Sequence, residues 1–340
     1  MTIETAATDS GRARTWRLVR GILLAIVLGV VGWRASALWD EGQSLDAEVN
    51  WQPAWLVAAT VAYLAGWLPS AWFWRRLLSN SGHTVSWPTL LRAYFCGHLG
   101  KYVPGKAGVL VIRAGLLKSS GVPAATAAWT ATWETLLAMG VGGVLGLGLA
   151  PWLLTDDVLA TLPAPLAAIG RQPLVTSVVV AVVALGAFPW LTRLVTRMTR
   201  RLTDDDSTDV SVSTGQVLLG SLAMAVGWTG HGLSLWWTLQ GLGVSPISDC
   251  PGTTLAGMTA VAGLATALGF VAFFAPGGVG VREGVLIEGL SRSGIALQPA
   301  VLASIALRAV WLLAELVTSA ALYYGHRPLP SPPSTSDSPD

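Results

Sequence analysis

Eight ionisable residues fall within or beside long apolar stretches: Lys101, Lys106, Arg113, Glu134, Arg282, Glu283, Arg308 and Glu315. Their types suit recognition of an anion, because a guanidinium offers a planar fork of donors that matches phosphate. An ionisable side chain at the centre of a membrane helix costs about 2.5–3.5 kcal/mol on insertion scales. Arg113, Glu134, Glu283 and Arg308 are therefore expected to face one another or water, and their signs allow pairing within or between the two halves of the chain. Glu315 lies seven residues after Arg308, two helical turns on, and so shares its face. Arg282 and Glu288 are expected nearer the outer rim. Lys101 and Lys106 flank Pro104; they either snorkel to an interface or draw phosphate to the mouth of a cavity. Two readings of the whole set stand. One is an ion-pair network that pins the backbone around it. The other brings Arg113 and Arg308 to one midplane cavity that holds an anionic headgroup, with Glu134 and Glu283 holding them when it is empty.

Other chemistry is poorly supported. No His, Glu or Asp cluster has metal-ligand spacing, no Ser-His-Asp set is visible, and two cysteines, Cys96 and Cys250, are too few for a zinc site or a disulfide scaffold. Residues 100–106 read GKYVPGK, the spacing of a phosphate-binding loop, but Ala107 stands where the magnesium-holding hydroxyl belongs and no strand precedes it. GGVGVREG lacks the third glycine and the βαβ setting of a dinucleotide site. His98 and His231 are single and read as hydrogen-bonded core or interface residues rather than as a proton relay. No metal, cofactor or nucleic acid is expected, and the net charge of +2 calls for no polyanionic partner.

The elements that must position these charges are membrane helices. Hydrophobic residues make up 52% of the 340 and charged residues 12%, with a mean hydropathy of +0.57. A soluble domain carries about 25% charge. Six stretches reach the ~20 apolar residues that cross a bilayer: about 21–38, 54–74, 124–153, 173–191, 214–242 and 299–323. Two more apolar regions are broken. Leu90 to Leu117 is interrupted by Gly100, Pro104, Gly105 and Gly108, and Thr254 to Leu290 by Pro276, Gly277, Gly278 and Gly280. Each is expected to form two short helices joined by a Pro/Gly turn, which is tolerated at membrane depth only inside protein or beside a wet cavity. The sequence thus predicts an all-α polytopic membrane protein with six full spans and two re-entrant helical hairpins. Residues 1–18 form a cytoplasmic segment, 19–325 a single transmembrane domain, and the Pro/Ser-rich residues 326–340 a solvated tail. Arg12, Arg14, Arg17 and Arg20, then Arg75 and Arg76, then Arg193, Arg197, Arg200 and Arg201 place both termini in the cytoplasm, since Lys and Arg stay inside. The high count of 17 Trp suits interface belts, with Trp72, Trp74 and Trp152 as anchors. Gly142 and Gly146 permit a close helix crossing within the chain.

The two broken regions resemble each other. Tyr102, Pro104, Gly105 and Gly108 match Phe274, Pro276, Gly277 and Gly280. Both reach a Gly-hydrophobic pair, Gly121-Val122 and Gly294-Ile295, and then a long helix with one charge. The hairpin and helix charges are Arg and Glu in the first half, about 21–153, and Glu and Arg in the second, about 173–325. With hairpins entering from opposite sides this is an inverted repeat, a plan common in secondary transporters, whose binding sites lie at broken helices near the midplane.

GKYVPGKAGVLVIR (100–113) followed by Glu134, and APGGVGVREG (275–284) followed by Arg308 and Glu315, together resemble the lysylphosphatidylglycerol synthase transmembrane family over about residues 15–325. The resemblance implies a flippase-like inner-membrane protein that moves a polar lipid between leaflets and catalyses no reaction. With fifteen residues after the last span, no aminoacyl-transferase domain is expected. The resemblance extends the lipid choices to an aminoacyl-phospholipid, a glycolipid or a polyprenyl-phosphate-linked sugar, and implies a separate glycosyltransferase or lipid-modifying enzyme as partner. Thr135 follows Glu134 where the family frequently has Arg, which loosens the first-half charge network or alters the substrate. The alternative is a membrane scaffold that binds lipid or recruits such an enzyme without transport.

Overall fold

A computed structural model describes residues 50–102, 108–153, 156–161, 163–183, 186, 212–244, 251–272 and 276–325. The expected first span, the turn residues Pro104 and Gly105 with Lys106, the basic 193–201 segment, Cys250 and the tail lie outside these residues. Every described element is helical. In chain order they are α1 Pro53–Asn80, α2 Trp87–His98, α3 Gly108–Leu117, α4 Ala124–Leu149, α5 Asp156–Thr161, α6 Ala164–Gly170, α7 Pro173–Val183, α8 Thr214–Gly241, α9 Pro251–Val271, α10 Val281–Arg292 and α11 Leu297–Gly325. Short 3₁₀ turns at Leu99–Tyr102 and Pro276–Gly278 form the hairpin tips.

Four helical segments are long and apolar enough to cross a bilayer: Pro53–Asn80, Ala124–Trp152, Thr253–Val271 and Leu297–Gly325. The third departs from expectation. The region from Thr254 does not begin with a short helix, because α9 runs for 21 residues, about 31 Å at the α-helical rise. No proline interrupts it. Its internal glycines serve as contact points instead, Gly263 against the backbone of Gly142 and Gly269 against Arg282.

Both broken regions nevertheless fold back on themselves. Gly100 lies against Gly108 and Val109, and Gly97 against Arg113, so α3 returns along α2. Gly269 lies against Gly278 and Arg282, and Gly289 against Val261, so α10 returns along α9. Each hairpin ends in a left-handed glycine, Gly121 (φ 73°) or Gly294 (φ 87°), followed by buried Val122 or Ile295. The order long helix, hairpin, long helix therefore occurs twice: α1, α2–α3, α4, then α8, α9–α10, α11.

Helices α1 and α8, 28 residues each, pack antiparallel, with Gly66 on Gly227, Phe73 on Gly220 and Leu56 on Gly241. Small residues let backbones approach where lipid offers no hydrophobic drive to association. Gly142 and Gly146 serve a crossing within the chain, as expected: Gly142 faces Trp228 and the backbone near Gly263, and Gly146 faces Leu264. A Cβ on Gly227 would stand 2.4 Å from the carbonyl oxygen of Gly66. Gly227→Ala is therefore expected to force α1 and α8 apart and cost about 1–3 kcal/mol, read as a lower unfolding temperature in detergent; an unchanged temperature would show that the crossing is looser than drawn.

Trp74 corrects a sequence expectation. It is no interface anchor: the side chain is fully buried and its indole N–H donates to Thr130 Oγ1 at 3.1 Å. A long helix that is apolar all round does not reveal which face meets lipid and which meets protein.

Candidate functional site

The two hairpin tips meet. Tyr102, at the tip of the first, lies against Gly277 at the tip of the second. They approach from opposite ends of α11. On its N-terminal side Arg308 pairs with Glu283 of α10, 2.5 Å apart. Two turns on, Glu315 pairs with Lys101 of the first tip. One turn further, Ser319 donates to the Phe95 carbonyl of α2 at 3.0 Å. Helix α11 is thus a rail along which the hairpins come head to head.

Beside the tips is a cavity of about 340 Å³. Tyr63, Trp67, His98 and Trp311 form its aromatic wall, and Lys101, Arg113, Glu134 and Arg282 supply its charge. Its other flank is apolar, built from Val109, Leu110, Leu136, Met139 and Phe270. A mostly apolar lining with a few convergent polar groups is the usual make-up of a small-molecule pocket, and the volume lies in the usual range.

Two of the ion pairs lie within a half, and the third, Lys101 with Glu315, joins the halves. Arg113 Nη1 donates to Glu134 Oε2 at 2.7 Å, with both side chains almost wholly buried. Tyr94 donates to the other carboxylate oxygen at 2.9 Å. The Arg113 guanidinium lies over the rings of Tyr94 and Trp74, 4.3 and 4.7 Å from their centroids. Gly97 permits this course, since a Cβ there would lie 2.6 Å from Arg113 Cγ. In the second half, Glu283 accepts from the Gly280 N–H at 2.6 Å and from Arg308. Glu283 thereby caps the start of α10 and ties it to α11 in one step. Glu315 is fully buried and accepts from Lys101, Tyr63 and Tyr102.

Two placements differ from the sequence expectation. Arg308 is absent from the cavity lining, where Arg113 stands; it lies on the Glu283 side of the tip. Arg282 is not at the outer rim: it is 8% exposed, lines the cavity and stacks 4.1 Å above the centroid of Trp311. The reason is helical geometry. Successive residues of a helix point about 100° apart, so while Glu283 caps α10 and reaches Arg308 of α11, Arg282 is turned round the helix onto Trp311, about one turn further along α11. Glu288 is exposed, as expected, and pairs with Arg292 on the surface. Lys101 neither snorkels nor stands free, being held by Glu315 at the cavity wall. Thr135, read from sequence as a departure near Glu134, lines the cavity and donates to Glu134 Oε2 at 3.2 Å.

Tyr63, Trp67 and Trp311 are cavity residues that motif reading passed over. Their only sequence signal was an aromatic placed mid-span rather than at an interface, one turn apart in the case of Tyr63 and Trp67. Tyr63 and Trp311 stack at 4.5 Å, and the Trp311 indole donates to Ser234 at 2.9 Å. His231 is a bonded core residue, its Nδ1 2.8 Å from the Gly227 carbonyl. His98 packs edge-on against Trp67. Among the described residues no cluster of His, Cys, Asp and Glu has the makings of a metal site.

A model of the lysylphosphatidylglycerol synthase transmembrane region matches residues 18–317. The chain belongs to that family. It is a multi-pass integral membrane protein, as its apolar helices require. No curated protein matches the chain. Of the residues quoted from sequence, Lys101, Arg113, Glu134, Gly277 and Arg282 line the cavity, while Glu283, Arg308 and Glu315 are absent from its lining.

Proposed function

We propose that the protein carries a polar or anionic lipid headgroup between leaflets of the inner membrane, with the cavity at the hairpin tips as the path and no chemistry performed on the lipid. The observation that carries this is a mostly apolar cavity with a few convergent charges, placed where the two hairpins meet. A headgroup can cross hydrocarbon only if its charge is compensated, or desolvation blocks it. Arg113 and Arg282 face that space, while the apolar flank admits the upper part of the acyl chains. In this scheme the chain has six full spans, two re-entrant hairpins related as an inverted repeat, and both termini in the cytoplasm. Rocking of the two halves about the tip contact alternates access, as in transporters with this plan. A separate glycosyltransferase or lipid-modifying enzyme supplies the lipid.

The Arg308–Glu283 pair plays a structural part here. Arg308 also reaches the Gly277 carbonyl at 3.4 Å, so the pair fastens the second tip to α11. A scaffold that binds lipid without moving it would use the same fastening.

The test is translocation in proteoliposomes of lipids labelled on the acyl chain. Thr135→Trp places a large ring in the cavity wall and is expected to leave the protein folded but reduce translocation to the protein-free background. Wild-type rates in that folded variant would remove the cavity from the path. Background rates in wild type with every lipid offered would favour the scaffold.

A further inference from the structure

The charges at the hairpin tips do not balance. Among the described residues, Lys101, Arg113, Arg282 and Arg308 gather there against Glu134, Glu283 and Glu315. Each carboxylate has one cation of its own: Glu134 has Arg113, Glu283 has Arg308 and Glu315 has Lys101. Arg282 has no ion pair among the described residues, although it is more than nine-tenths buried and lines the cavity. Its guanidinium rests on the face of Trp311, and Gly269 leaves room for its Cβ at the close approach of α9 and α10.

A cation–π contact attracts a desolvated guanidinium, but removing the ion from water costs more than the ring returns. The ring therefore offsets only part of the cost. Stacking also fixes the plane of the fork and leaves its edge free to donate, which is how guanidinium recognises an oxyanion.

We infer that Arg282 is the anion-recognition residue of the cavity, and that the ligand is a lipid phosphodiester bearing one net negative charge. This rests on the headgroup-carrying reading above and narrows its lipid. Among the described residues, one unpaired cation matches one negative charge. A phosphomonoester dianion would leave an excess charge buried, and a zwitterion would bring its own cation beside Arg282. A headgroup made cationic by an attached amino acid would meet like charge at closest range. Phosphatidylglycerol-type lipids and sugars joined to a polyprenyl chain through one phosphate share the required chemistry.

The experiment uses the full chain in two arms. In the first, native mass spectrometry reads retention from an equimolar set of phosphatidylglycerol, a polyprenyl-phosphate-linked sugar, phosphatidic acid, phosphatidylethanolamine and lysyl-phosphatidylglycerol. Wild type is expected to retain the two single-charge phosphodiesters over the others by about tenfold or more, the range a charge-assisted hydrogen bond supports. Retention of one of the two separates a phospholipid from a polyprenyl source, and either supports the inference. Arg282→Gln is expected to abolish the preference; Arg282→Lys keeps charge but loses the fork and should restore it only in part. Arg292→Gln, on the exposed end of α10, should leave it unchanged. Equal retention across the set by wild type overturns the inference even if Arg282→Gln fails to fold, and so does an unchanged preference in folded Arg282→Gln. In the second arm, acyl-labelled lipids are followed across proteoliposomes. Charge-selective retention without translocation defeats the transport reading and leaves the Arg282 assignment standing; translocation indifferent to headgroup charge does the reverse.

Discussion

Glu134→Gln is expected to destabilise the protein by about 3–5 kcal/mol, because it leaves a buried cation without its counter-charge. Arg113 is 1% exposed and its ion partner is Glu134 at 2.7 Å. The aromatic rings of Trp74 and Tyr94 beside the guanidinium soften the loss without replacing the carboxylate, since a cation–π contact offers about 2 kcal/mol at desolvated sites. Tyr94 would also lose half of a charge-assisted bond. Removing both charges by Arg113→Met with Glu134→Leu is expected to recover most of the stability, as replacing a buried pair by apolar groups often does. Translocation should not return, because the cavity then lacks Arg113. Glu283→Gln should cost less, since that pair is partly exposed, at 18% for Arg308 and 13% for Glu283. Unfolding followed by tryptophan fluorescence in detergent measures all three. A Glu134→Gln protein as stable as wild type would mean that water reaches Arg113.

That prediction depends on a pairing only half legible in the sequence. The residues were visible as charges that apolar neighbours could not tolerate, and the exchanged order of Arg and Glu marked two related halves. Spacing cannot say whether Arg113 pairs with Glu134 or with Glu283, because that is decided by which helices cross. The answer lies in glycines read as turn residues or not at all: Gly97 lets Arg113 pass α2, and Gly100 brings α3 against it. Arg282 shows the limit more sharply. It sits beside Glu283 in the chain, and two charges at adjacent positions of one helix turn do not reveal which neighbour each one meets. Structure separates them through the cap, which commits Glu283 to the Gly280 N–H. The hairpins themselves were legible because proline and glycine in an apolar run have few other uses. The length of α9 was not, since glycines alone do not end a helix that packs tightly on both sides.

The hairpin tips should be the least forgiving part of the chain, and the sensitivity should follow backbone contact rather than glycine content. At Gly100 a Cβ would stand 2.3 Å from the Gly108 carbonyl carbon and the Val109 nitrogen, all main chain, so nothing can rotate away. At Gly278 the φ is 71° and a Cβ would meet the Gly269 backbone at 2.9 Å. Alanine at either position is expected to cost about 2–4 kcal/mol, combining overpacking with, at Gly278, the left-handed penalty. Gly280 has φ 87° and ψ −55° but open space around it, so Gly280→Ala should cost only the backbone share, about 1–3 kcal/mol. Gly115 lies within α3 with nothing near a Cβ, and Gly115→Ala should stabilise by about 0.5–1 kcal/mol. Thermal unfolding of the four single variants gives the order directly; equal losses at Gly100 and Gly115 would show that α2 and α3 are not in contact as described. The effect on function should follow the same order. Tyr102 meets Gly277 at the tip contact and donates to Glu315, while Glu315 holds Lys101 at the cavity wall. A shift of either hairpin by the width of one methyl group moves Lys101 and Arg282 relative to each other. The spacing of the charged groups along the cavity wall would change with it.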